Sequence, residues 1–241
     1  MAVGVLVAAS TAIMPTATAV PSNIAGMVVF IDPGHNGSND GSINRQVPTG
    51  RGGTKDCQTS GTATNTGFQE HTFTWDTALR VRAELSALGV RTALSRANDS
   101  GLGPCVDERA NAANALHPNA VLSIHADGGP PSGRGFHVNY SAPPLNQVQA
   151  GPSVQYARIM RDQMQGSGIP PANYIGQNGL YGRSDLTGLN LAQYPSILVE
   201  CGNMKNPADS ALMESAEGRQ KYADALVRGV AGFLASQGQA R

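Results

Sequence analysis

Three ionisable side chains stand where apolar runs end. His35 follows VVFIDPG, His125 follows AVLSI, and Glu200 follows SILV. A buried strand that ends on an ionisable group is costly unless that group has a partner or a metal. In α/β sheets, ligand-binding and catalytic residues gather at the carboxyl ends of the strands. Two histidines and one carboxylate satisfy Zn²⁺ as three ligands and leave a position open for water. Hydrolysis at such a centre needs one more carboxylate, not bound to the metal, to take the proton of the water. Glu70 and Glu200 are the two candidates, and spacing alone does not assign them. No Ser lies in a G-x-S-x-G elbow, so nothing points to a serine nucleophile.

Other polar residues carry weaker signals. His71 adjoins Glu70, but neighbouring helical positions point about 100° apart, so both do not easily face one ion. His137 alternates with Phe136 and Val138, which places it towards either the cleft or solvent. His117 precedes Pro118 in a helix–strand turn and reads as a surface residue. Asp32, before Pro33-Gly34, suits a turn or a partner of a ligand. Arg134, Arg183 and Asn190 are able to hold substrate, with no support from spacing.

The elements that position these groups follow from hydrophobic periodicity. Met27–Ile31 is a β-branched, fully apolar run, a buried strand entering the turn at Asp32-Pro33-Gly34. Residues 36–68, rich in Gly, Ser, Thr and Asn, read as a long irregular loop. Trp75, Ala78, Val81, Leu85 and Leu88 recur at helical spacing and stop at Gly89. Val90–Leu94, Ala120–Ile124, Phe136–Tyr140 and Ser196–Val199 are further strands. Helices are predicted from Asp107, as cap, to Leu116, over Val154–Met164 before Gly166, and over Ala223–Phe233. Residues 141–152 and 170–190 read as connections. This alternation predicts one α/β domain with a mostly parallel, mixed sheet flanked by helices on both faces.

Composition narrows the class of function. The chain has 17 basic and 17 acidic residues, so no basic excess exists to neutralise nucleic-acid phosphates. Met1–Ala9 is an apolar run far shorter than the roughly 20 residues a membrane span needs, and Ala17-Thr18-Ala19 follows it. Residues 1–19 therefore read as a secretory signal segment, although no Lys or Arg precedes the apolar run. The mature domain is then 20–241, secreted to the periplasm or cell wall, with no membrane association after cleavage. Cys57 and Cys105 lie in loop-type strings, TKDCQTSGT and SGLGPCVDE, whereas Cys201 follows an apolar run. A Cys57–Cys105 disulfide with Cys201 as a buried thiol is the natural partition; the alternative is three thiols in a reducing compartment.

Four strings in a fixed order carry a resemblance: VVFIDPGHNG, then Glu70 opening a helix, then SIHAD, then PSILVECGNMKNPAD. With ALSRANDS, DERANAAN and RGFHVNY, they resemble the catalytic domain of the zinc-dependent N-acetylmuramoyl-L-alanine amidases, the domain of bacterial autolysins and cell-division amidases. The likeness runs from about residue 27 to 236 and is nearest to secreted mycobacterial members, which lack wall-binding repeats. It implies Zn²⁺ held by His35, Glu70 and His125, and Glu200 as the catalytic glutamate acting on a zinc-activated water. It implies a peptidoglycan or muropeptide substrate, cut between N-acetylmuramic acid and L-alanine, in wall turnover or fragment recycling. About five residues follow the domain, so soluble fragments are expected to be cut at least as readily as intact wall. A monomer is also expected. The alternatives are a catalytically silent peptidoglycan-binding or regulatory protein and a zinc peptidase of stem peptides. The chain departs from the family at Asn36-Gly37 in place of two glycines, in a longer loop bearing Cys57, at Asp127 in place of Asn, and at Cys201-Gly202-Asn203. None of these removes a ligand.

Overall fold

The computed structural model of the protein describes residues 22–238, so the expected signal segment lies outside the described residues. In chain order the elements are β1 (Val28–Pro33), the hairpin strands β2 (Gln46–Pro48) and β3 (Thr54–Asp56), α1 (Glu70–Ala87), β4 (Arg91–Leu94), α2 (Val106–Leu116), β5 (Ala120–Asp127), β6 (His137–Ser141), α3 (Gln147–Ala150), α4 (Pro152–Gly166), β7 (Leu180–Arg183), α5 (Thr187–Asn190), β8 (Ser196–Asn203), α6 (Pro207–Glu214) and α7 (Ala216–Gly238). Six strands form one sheet in the order β4-β1-β5-β8-β6-β7. All neighbours are parallel except β6 and β8, which makes the sheet mostly parallel and mixed as expected.

Alternation along the strands gives the sheet two unlike faces. Val29, Ile31, Leu122, Ile124, Ile197, Val199 and Val138 join the main core with side chains of α1, α4 and α7. There Tyr156 stacks on Phe233 at 4.5 Å, and Phe73 meets Tyr222 edge-on. Full burial of each such side chain stabilises the fold by about 1.5–3 kcal/mol. The opposite face carries Phe30, Asp32, Val121, Ser123, His125, Ser196 and Leu198, which line a cavity of about 150 Å³ reaching α2 and α5. Of the functional candidates, His125, Glu200 and His137 project on this second, more polar face.

Several expectations are corrected in detail. His125 and Glu200 do not end their strands. They lie within β5 and β8, directly paired with each other, and the register shifts between His125 and Asp127. Asp107 does not cap α2. Cys105 does, two residues earlier, and its N–H donates to Glu108 Oε2 at 2.8 Å in a capping box. The segment 36–68 is not wholly irregular, since it contains the β2–β3 hairpin. The connections 141–152 and 170–190 hide α3, β7 and α5, elements of four residues each, too short to show a period. The buried face of α1 is Phe73, Thr74, Thr77, Ala78, Val81 and Leu85. Trp75 lies outside that stripe, beneath the Arg96 guanidinium at 4.9 Å.

Candidate functional site

His35 leaves β1 through Asp32-Pro33-Gly34 and takes up φ 62°, a left-handed conformation that a non-glycine residue adopts only when its surroundings impose it. Arg109 imposes it. This buried guanidinium donates to Pro33 O, His35 O, Asn36 Oδ1 and Asp32 Oδ1, so one side chain pins the whole turn. Gly34 is required by the neighbouring strand: a Cβ there would come within 2.3 Å of the His125 ring. The two imidazoles then meet edge-on, with centroids 4.8 Å apart.

Glu70 opens α1 and reaches between them. Its Oε2 lies 3.0 Å from His35 Nε2, and its Oε1 accepts from His125 Nδ1 at 3.0 Å. Backbone N–H groups of Thr62 and Ala126 also donate to it, one to each oxygen. His35 Nδ1 donates to Thr59 O at 2.8 Å, which fixes the ring and turns Nε2 inward. Burial would raise the Glu70 carboxyl, but the two imidazoles outweigh it and hold the group well below the usual carboxylate range. Burial would lower His35, and Glu70 reverses this and raises it.

One donor atom from each of His35, Glu70 and His125 lies within 4.8 Å of the others. The N,N,O donor set suits Zn²⁺. The residues therefore fit the metal that the sequence suggested. His71 stands apart from them, paired with Asp99 at 2.9 Å.

Glu200 is not one of the three donors. It stands beside them, across β5–β8 from His125, with Oε2 buried and without a partner. Burial pushes its carboxyl well up, and the negative charges of Glu70 and Asp127 add to this. Such a group carries a proton readily, the property a general acid and base needs.

The remaining candidates separate clearly. Asp32 is a partner of Arg109, the residue that pins the His35 turn. It accepts from Ser95, Ser123 and Arg109, and although burial would raise it, these neighbours lower its pKa to about 2. His137 is 1 % exposed and paired in register with Glu200, on the cleft side. His117 is exposed and bonded to the Tyr194 hydroxyl. Asn190 is structural: it accepts from Arg51 Nε and donates to Thr49 O and Ser184 O, fastening the hairpin to α5. Arg183 chelates Asp185 and lies over Tyr181, and Arg134 faces Asp209 at 3.8 Å. Sequence reading missed Arg109 as an organiser. Its signal was a charge on the buried stripe of α2 with Ala110 and Ala113.

Cys57 and Cys105 are joined, with Cα atoms 4.5 Å apart, and Cys201 is a buried free thiol. With Val47 and Val106 the bridge forms a small apolar cluster that anchors the hairpin to α2. From there Arg51 reaches Asn190 and Ser141, and Lys55 Nζ reaches Asp185 O, so the hairpin spans the cleft from α2 towards β6 and β7.

Comparison with known proteins agrees with this geometry. The family model described as Amidase_3, N-acetylmuramoyl-L-alanine amidase, matches residues 29–232. The chain is 82% identical over 241 residues, the full length of both, to N-acetylmuramoyl-L-alanine amidase Rv3717 of Mycobacterium tuberculosis. Its structure is similar to the N-acetylmuramyl-L-alanine amidase Ami1 of Mycobacterium smegmatis, with TM-score 0.89 and 76% identity over 89% of this chain and 100% of that one. It is also similar to Ami1 of Mycobacterium abscessus, with TM-score 0.87 and 63% identity over 88% and 100% of the two chains. Fold, site and sequence lead to one conclusion: the chain belongs to the N-acetylmuramoyl-L-alanine amidase family, enzymes that act on peptidoglycan.

Proposed function

We propose that this chain is a secreted, zinc-dependent amidase that hydrolyses the amide between N-acetylmuramic acid and L-alanine of the stem peptide. The observation that carries the reading is the separation of roles in the site. Three donors converge within 4.8 Å, and a fourth group, Glu200, stands beside them without joining them. His35, Glu70 and His125 hold the ion. When bound, Zn²⁺ supplies polarisation of the scissile carbonyl and makes water acidic enough to act near neutral pH. Glu200 takes the proton of the attacking water and delivers it to the departing amine of L-alanine. Thr59 and the Ala126 and Thr62 amides keep the ligands oriented, and Arg109 keeps the His35 turn in place. No covalent acyl-enzyme forms.

Export is supported by the reading of residues 1–19 as a signal segment, with 20–241 as the mature catalytic domain, and by the Cys57–Cys105 bridge, which suits an oxidising compartment. The protein acts as a monomer on wall or muropeptide fragments, in turnover or recycling. The test is mass spectrometry of muropeptides after digestion with zinc-loaded protein, beside a chelated control. Free stem peptide beginning with L-alanine, lost on chelation, supports the reading. A peptide split internally makes the protein a peptidase, and unchanged muropeptides with zinc bound make it a silent binder.

A further inference from the structure

His137 is a buried imidazole that the hydrolysis as described does not use. Register places it in a row with the catalytic groups: His125 on β5 pairs with Glu200 on β8, and Glu200 pairs with His137 on β6. Paired residues of neighbouring strands project to the same face, with Cβ atoms about 5 Å apart. His125, Glu200 and His137 therefore stand side by side on the cleft face, with Glu200 in the middle.

Two buried atoms in that row lack partners, His137 Nδ1 and Glu200 Oε2. Leaving a buried polar group unpaired is costly, more so for a charged one. The two are complementary, one able to donate and the other an acceptor. Asn139, the next inward residue of β6, also has unpartnered side-chain atoms, but it faces Leu198 rather than Glu200. Tyr174 and Tyr181 meet the His137 ring edge-on, with centroids 6.4 and 6.0 Å away, and neither hydroxyl is bonded to it. The Tyr174 hydroxyl donates instead to Asp127.

We propose that His137 is a positioning residue for Glu200: its Nδ1–H and Glu200 Oε2, both unpartnered in the structure, pair with each other in the working enzyme and hold the carboxylate aimed at the reacting centre. The inference rests on the proton-transfer role of Glu200. Burial lowers the pKa of His137 to about 4, with Asp127 opposing and Arg183 adding, so the ring is neutral and carries a single N–H. A neutral donor orients the carboxylate without competing for the proton it must move. The two tyrosine rings flank the imidazole edge-on.

The test compares zinc-loaded wild type with His137→Phe, which keeps a ring of similar size, and His137→Asn, whose amide nitrogen stands in for Nδ1. Misplacing a proton-transfer group lowers rate by up to about 100-fold. The expected result is a kcat of the Phe variant about 10- to 100-fold below wild type, with KM and zinc content unchanged, and recovery to within a few-fold in the Asn variant. A ¹H–¹⁵N spectrum of wild-type imidazoles should show a slowly exchanging Nδ1 proton on His137 that shifts in Glu200→Gln. This readout holds whether or not the Phe variant folds. A Phe variant with wild-type kcat, or a His137 imidazole indifferent to Glu200→Gln, overturns the proposal. If Glu200→Gln is itself fully active, the underlying role of Glu200 fails first.

Discussion

His35, Glu70 and His125 come from three different elements, yet each is held by at least one backbone group or by a glycine that clears its space. Ion affinity should therefore depend on the donors themselves. Alanine at any of His35, Glu70 or His125 is expected to reduce bound zinc from one per chain to a small fraction, measured by elemental analysis after desalting. Glu200→Gln should retain full zinc while kcat falls by about 10²–10⁴-fold, the usual contribution of general acid–base catalysis. Zinc lost together with activity would make Glu200 a ligand. Asp32 has a separate, structural consequence. Its folded pKa of about 2 lies below the ordinary aspartate value of 3.8, so its stabilisation is present above about pH 4 and fades as pH falls through 2. The shift corresponds to about 2 kcal/mol. Asp32→Asn should lower the unfolding free energy by about that much or more at pH 7, since it also strands Arg109. The difference from wild type should close towards pH 2, measured by urea titration across that range.

At the scale of elements, the long helices and core strands were legible because their apolar positions repeat at a clear period. The strands bearing Val29, Leu122 and Ile197 and the helix ending at Gly89 were read directly from that pattern. The pattern failed for β7, α3 and α5, where four residues hold about one turn or two pleats. It also placed Trp75 on the wrong side of α1, since a cation–π contact to Arg96 leaves no trace in hydropathy. The hairpin was hidden because side chains scarcely contribute to it. β2 and β3 have one fully buried residue between them, Val47, and rely on tethers: the Cys57–Cys105 bridge, Arg51 to Asn190, and Lys55 to Asp185. A bridge across 48 residues contributes about 4 kcal/mol in the chain-entropy model. Reduction, or paired Cys57→Ser and Cys105→Ser replacement, should lower the melting temperature and raise amide exchange first in residues 45–58. Uniform loss of protection would show that the hairpin is not a separable unit.

For the molecule as a whole, the sheet divides the work by face. One face is closed by α1, α4 and α7 into an apolar core. The other carries Asp32, Ser123 and His125, which line the cavity, and, by strand register, Glu200 and His137 beside them. His35, His125 and Glu200 stood out because chemistry-bearing types interrupted apolar runs, whereas Glu70 entered the ligand set only through the family resemblance. The choice between Glu70 and Glu200 was not legible from spacing, because a donor and a proton carrier are the same residue type and differ only in position. Here Glu70 bridges two imidazoles, and Glu200 stands one strand further along.

The most direct test of this account is the fate of oxygen when a muramoyl-peptide is digested by the zinc-loaded protein in H₂¹⁸O. Water activated at the three-donor centre should leave one ¹⁸O on the lactyl carboxylate of N-acetylmuramic acid and release an unlabelled stem peptide with a free L-alanine amine. Label on a peptide carboxylate, with muramic acid still joined to L-alanine, would contradict it.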